Sequence, residues 1–165
     1  MNKQKTRNSQ KPNRKADSNR KIRLRIAGVF VRDNKILLVK HRKNGLEYYL
    51  LPGGGQEPGE SSIDALIREW KEELNLDIKP GQFLFCGESV PPQNLSRSQV
   101  MQLVFAVEEI QGSIHVKPDG ALVGSDWIDC DELESIRLFP ACLEQIQEYI
   151  KNGNAQAYSR YAWLS

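Results

Sequence analysis

The stretch LPGGGQEPGESSIDALIREWKEELNL, Leu51 to Leu76, sets the hardest condition on the fold. Between Ser61 and Leu74 the apolar residues Ile63, Leu66, Ile67, Trp70 and Leu74 recur at intervals of three and four, the period of one helix face. That spacing predicts an amphipathic helix over Ser61 to Leu74. Beside its apolar face stand Glu69, Glu72 and Glu73, which are neighbours at helical spacing. Like charges so placed cost roughly 0.2–0.5 kcal/mol per pair, so the helix needs a reason to carry them. Directly before it come Gly53, Gly54 and Gly55, which let the backbone approach a ligand closely. The amides of a helix N-terminus add an anion site. A glycine turn alone, or an acidic solvated face alone, would be ordinary. Together they suit a hard divalent cation held by carboxylates beside a loop that holds phosphate.

The remaining pattern is that of a mixed α/β domain. RLRIAGVFVRDNKILLVKHR holds two apolar runs around Asp33-Asn34 and predicts a β-hairpin of two buried strands. EYYLLPGGG predicts a third short strand, and GQFLFCGESV and SQVMQLVFAVEEI two more. SDWIDCDEL predicts a strand running into a helix start. PACLEQIQEYIKNG predicts an amphipathic helix, with Pro140 near its first turn and a stop at Asn152-Gly153. The aromatic end, YSRYAWLS, has no clear place. Strands, helix, strands, helix predict a mixed sheet between helices.

Charge divides the chain. The first 25 residues hold ten Lys or Arg against Asp17 alone, a formal +9, and the rest carries −7. Met1 to Lys21 lacks the apolar surface to offset its ordering entropy, which predicts a disordered basic arm over residues 1–22 and a folded domain over 23–165. A solvated tail is the plainer reading of that arm; a contact with nucleic acid or another polyanion is the sharper one. The N-terminus has no apolar core for a secretory signal, and no run approaches the roughly 20 apolar residues that span a bilayer. The three scattered cysteines, Cys86, Cys130 and Cys142, form no CxxC pair and fit a reducing, cytoplasmic setting.

The central stretch resembles the Nudix hydrolases, whose box reads G-x5-E-x7-R-E-U-x-E-E-x-G-U. Gly54 opens it, Glu60 and Arg68-Glu69 follow at the family spacing, then Trp70, Lys71, Glu72-Glu73, Leu74, Asn75 and Leu76. Two positions depart. Asn75 stands for the glycine after the helix, where Asn tolerates a left-handed backbone. Trp70 replaces an aliphatic residue and needs smaller neighbours in the core. The resemblance covers Arg23 to about Asn152. It implies an α/β/α sandwich and hydrolysis of a nucleoside diphosphate linked to another group. It implies that Glu69, Glu72 and Glu73 ligate Mg²⁺ or Mn²⁺, with Glu60 supporting or joining them. The Gly53 and Gly54 backbone would lie close to the metal, with Gly53, Gly54 and Gly55 as phosphate loop, and Arg68 would orient a box glutamate.

The base is expected in the box, at Glu72 or Glu73, with Asp119 of the distal loop KPDGALVGSD as the alternative; Asp126 is that loop's other acid. Pro118-Asp119-Gly120 also reads as a plain turn. Arg68 can pair with Glu72 or Asp64, each four residues away. His41 and His115 read as ordinary surface or edge residues. Tyr48, Tyr49, Phe85 and Trp127 could stack on a base, though core packing is the simpler role. Small nucleotides are the expected substrates, triphosphates narrowly ahead of ADP-ribose, to which Pro92, 16 residues beyond Leu76, tilts. An RNA-end pyrophosphatase using the arm and a non-catalytic binding module are the other readings, and a homodimer is compatible with all of them. Deleting Met1 to Asn19 should leave both the melting temperature and small-nucleotide turnover nearly unchanged; a collapse of either would show that the arm packs on the body.

Overall fold

The computed structural model describes residues 21–163; the basic arm before Lys21 lies outside the described residues. The chain runs β1 (Ile22–Val29), β2 (Val31–Arg32), β3 (Lys35–Lys43), β4 (Leu46–Leu50), β5 (Gly53–Gly55), α1 (Ser62–Leu74), β6 (Asp77–Ser89) and β7 (Gln99–Gln111). There follow β8 (Leu122–Asp129), a 3-10 helix (Cys130–Ser135), α2 (Leu143–Asn152) and β9 (Tyr158–Tyr161). The expected mixed sheet is five-stranded, in the order β5-β1-β7-β6-β9, with β1–β7 and β6–β9 parallel. A second, antiparallel sheet places β3 between β8 and the pair β2 and β4. Among the described residues no helix is long and apolar enough to cross a membrane.

Continuous apolar runs in the strands follow from burial on both faces. Ile26, Leu37 and Val39 pack with Leu66, Trp70 and Leu74 of α1. Their sequence neighbours Ala27, Ile36 and Leu38 point the other way, into a cluster that includes Ile146 of α2. One core thus lies under each helix, the α/β/α sandwich expected from the sequence.

Three local expectations need correction. The hairpin at Asp33-Asn34 exists, with both residues at positive φ (53° and 57°) as a primed turn requires. Its first strand is only Val31–Arg32, however, because residues Ile22 to Val29 are already laddered to β7. The glycines do not form a loop: Gly53–Gly55 is a strand laddered to Arg25–Ala27. Pro140 stands outside α2, where its carbonyl closes a turn with the Cys142 amide at 2.7 Å, and the helix starts at Leu143. The aromatic end, unplaced by the sequence, adds β9 to the sheet edge.

Both departures from the family box are explained by their surroundings. Asn75 caps α1 in the left-handed region at φ 58° and donates to Lys71 O. Trp70 is fully buried, and its small neighbour is Gly28. A Cβ at Gly28 would lie 2.9 Å from Trp70 Nε1 and 2.8 Å from Val107 Cγ2. Gly28→Ala should therefore cost about 1–3 kcal/mol by overpacking. Trp70→Leu in the same chain should recover part of that loss, read as a non-additive double-mutant cycle in denaturant unfolding. Additivity would show that Gly28 does not make the room for Trp70.

Candidate diphosphate and metal site

Helix α1 is fixed at its start by a capping box: Ser61 Oγ accepts from the Asp64 amide (3.1 Å), and Asp64 Oδ2 accepts from the Ser61 amide (3.3 Å). Asp64 is thereby occupied, and the Arg68 pairing expected with it does not form. Arg68 instead gathers the acids. Its Nε and Nη2 donate to Glu60 (3.1 and 2.7 Å), its Nη1 to Glu69 (2.9 Å) and its Nη2 to Gly55 O (3.0 Å). Glu72 lies 3.6 Å from Nη1. The Glu60 bonds hold the guanidinium proton above the usual arginine range, and Arg68 together with the Glu57 amide holds Glu60 below the usual carboxylate range.

The acids differ in setting. Glu69 is 14% exposed and Glu72 62%, while Glu73 turns inward and accepts from the Gly53 amide at 2.8 Å. Burial pushes the Glu73 carboxyl up to about 7, against the pull of Arg25 and the Gly53 amide. Gly53 O accepts from Arg25 Nη1, and Leu51 O from Arg25 Nη2 at 2.6 Å. The glycines permit this closeness. A Cβ at Gly53, whose φ is +140°, would lie 2.1 Å from Ile26 O, and one at Gly54 would lie 2.2 Å from the Glu69 carboxylate.

Among the described residues no three acidic, imidazole or thiol groups converge into a ready cation cluster; Glu60 and Glu69 are held on Arg68, and Glu73 on the Gly53 amide. The donor set nonetheless fits a hard cation, being all oxygen. Glu60, Glu69, Glu72 and Glu73 against Arg25 and Arg68 leave two formal negative charges, which a divalent ion would neutralise. Gly54 keeps open the cradle in which the Glu69 carboxylate lies.

β5 also borders a cavity of about 370 Å³, whose walls include Gly54, Gly55, Arg23, Arg25, His41 and Trp163. That is within the size range of ligand pockets. Ser89 and Val100, which flank the loop carrying Pro92, also line it.

The other expected residues fall elsewhere. Asp119 sits in an exposed turn, paired through its backbone with Leu122 (2.9 and 3.3 Å). Asp126 accepts from Tyr49 Oη (2.7 Å) and pairs with Lys40 (2.5 Å); against burial, which pushes it up, these partners hold its carboxyl low. Phe85 is core, and Trp127 packs on Phe30 under Arg32. His115 is exposed, but His41 belongs to the cavity wall. Burial and then Arg25 lower its imidazole pKa. Arg25 and Trp163 were missed from the sequence. Arg25 read only as part of a basic segment, although its place, with Arg23, among the apolar residues of β1 was a signal.

The family model of the NUDIX domain matches residues 22–149. The ADP-ribose pyrophosphatase of Methanocaldococcus jannaschii is 36% identical over 95 residues, covering 57% of this chain and 55% of the relative, so that the chain spans about half that relative's length. The CTP pyrophosphohydrolase of Escherichia coli is 25% identical over 127 residues, 76% of this chain and 89% of the relative. A NUDIX hydrolase structure from Nitrosomonas europaea superposes with a TM-score of 0.69 at 24% identity, covering 83% of this chain and 93% of that one.

Arg68→Lys should break the three-way bridge, because an ammonium cannot reach Glu60, Glu69 and Gly55 O in one plane. Metal-dependent turnover should fall about 10–100-fold, the scale for residues that orient metal ligands, with a melting temperature close to wild type. Wild-type turnover across a metal titration would refute the bridge's role.

Proposed function

The chain belongs to the NUDIX family, and on that footing we propose that it is a pyrophosphohydrolase of nucleoside diphosphates linked to another group, foremost a nucleoside triphosphate cleaved to the monophosphate and pyrophosphate. One observation carries the reading: strand β5 touches both the Glu69 carboxylate and a cavity whose wall includes Arg23 and Arg25. A diphosphate crossing β5 would meet the acids at its scissile bond and place its organic end in the cavity.

The use of divalent metal ions is general in the family, and Mg²⁺ or Mn²⁺ is proposed here. Glu69, Glu72 and Glu73 would hold it, supported by Glu60 and with the Gly53 carbonyl beside them; when bound, such an ion neutralises phosphate charge and acidifies water. Arg68 keeps Glu60 and Glu69 in place. Arg23, on the cavity wall, would offset the charge of the entering phosphates, while Arg25 is held by the Gly53 and Leu51 carbonyls. Glu72 is the exposed acid of the set and is assigned as the base that takes the proton of the attacking water as the bond to the leaving pyrophosphate breaks. Glu73, tied to Gly53, and Asp119, on its exposed turn, are the alternatives.

The CTP-cleaving relative, aligned over most of both chains, supports the triphosphate reading. The ADP-ribose-cleaving relative, with higher identity over a shorter span, supports ADP-ribose, as does Pro92. The basic arm supports triphosphorylated or capped RNA as a third substrate. The three free thiols suit a cytoplasmic setting.

A panel of nucleotides with Mg²⁺ or Mn²⁺, read by product identity, decides among these. Nucleoside monophosphate plus pyrophosphate is expected, while AMP plus ribose 5-phosphate at far higher kcat/KM would move the assignment to ADP-ribose. Glu72→Gln and Glu73→Gln should each keep the fold and lower turnover about a hundredfold or more, the scale of several kcal/mol of charge stabilisation. Millimolar Mg²⁺ should raise the melting temperature, since it binds the folded state. Full activity of both variants at limiting Mg²⁺ would refute the site.

A further inference from the structure

The aromatic C-terminus is built into the cavity. β9 lies parallel to β6, and the Cys86 amide donates to Ala157 O at 2.8 Å as the chain enters that pairing. Gln145 of α2 donates from Nε2 to Ser159 Oγ at 3.0 Å. Tyr161 is buried, and its ring fills the space that a side chain at Gly87 would need: a Cβ there would fall 1.7 Å from the ring. Strand, helix contact and ring together fix the chain two residues before Trp163. Trp163 is half-buried and stands in the cavity wall with Ala162.

The cavity is chemically graded. Gly54, Gly55 and the two arginines suit phosphate oxygens. The remaining wall is mostly apolar, formed by residues such as Leu50, Phe139 and Trp163. His41 and Ser89 also line it; the His41 ring packs on Tyr48 at 5.5 Å between centroids. An aromatic side chain on a ligand-sized cavity, beside groups that suit phosphate, makes a site for a flat heterocycle, which stacks through its ring.

We propose that Trp163 is the stacking surface for the base of the substrate, so that the C-terminal strand is part of the binding site. This rests on the nucleotide reading above and adds to it the residue that holds the organic end.

The test is calorimetric binding, with Mg²⁺, of the α,β-methylene analogues of CTP and ATP, and of inorganic tripolyphosphate as the base-free probe. Trp163→Ala should weaken both nucleotides about tenfold or more, the scale of losing one stacked base. Its affinity for tripolyphosphate should stay within about twofold of wild type, and Trp163→Phe should keep most of the nucleotide affinity. Nucleotide should also quench tryptophan emission in wild type, with less quenching in Trp163→Phe. Unchanged nucleotide affinity in Trp163→Ala, an equal loss for tripolyphosphate, or no nucleotide binding by wild type would overturn the proposal. A wild-type chain that hydrolyses no nucleotide yet shows the Trp163-dependent binding would refute the hydrolytic reading alone.

Discussion

The peptide of Gly53 joins helix to sheet. Its N–H is donated to Glu73 of α1, and its carbonyl receives the guanidinium of Arg25 from β1. A positive φ of 140° and the nearness of Ile26 O leave room there only for glycine. One residue on, Gly54 makes space for the Glu69 carboxylate. The acidic flank of the helix is therefore set by backbone contacts on short strands, and small errors there would displace every carboxylate together. Arg25 and Arg68 stand on opposite sides of this joint and divide the acids between them. What is left is an excess of negative charge in a partly buried place; burial first, and the neighbouring Glu69 and Glu72 only after it, raise the pKa of Glu73. That excess is the physical reason to expect a cation.

Much of this was legible because the sequence periods are strong. The three-and-four recurrence from Ile63 to Leu74 located α1 to within a residue and Ser61 marked its start, but Ile63 and Ile67 are exposed, and of the five apolar residues only Leu66, Trp70 and Leu74 face the core. Asn75 took the left-handed backbone that its place after the helix demanded. The pairing of Arg68 was less legible, since helical spacing allowed both Asp64 and Glu72. The capping box removed Asp64, and Glu60, eight residues earlier, came within reach only through the turn before the helix. The inward rotation of Glu73 was also hidden, because spacing does not say which acid meets a strand.

Non-local pairing accounts for the rest. β1 reads as half of a hairpin, yet its ladder partner, β7, lies more than seventy residues away. Arg25 looks like one charge of a basic segment until that strand is placed beside the glycines. The final aromatics carry no period, and their strand exists because Gly87 on β6 leaves a gap that Tyr161 fills. The cavity gathers such distant parts: β1, β3, the turn at Phe139-Pro140 and the C-terminal residues. Its graded polarity is a property of the assembled fold and of no single segment.

One exchange is central: a divalent cation would draw Glu73 away from the Gly53 amide to which it is bonded. The most direct measurement is an NMR titration of the backbone amides with Mg²⁺, following Gly53. Its amide should shift saturably and in step with Gly54 and Gly55, and the response should vanish in Glu73→Gln. An unmoved Gly53 amide at saturating Mg²⁺, or an identical shift in Glu73→Gln, would contradict it.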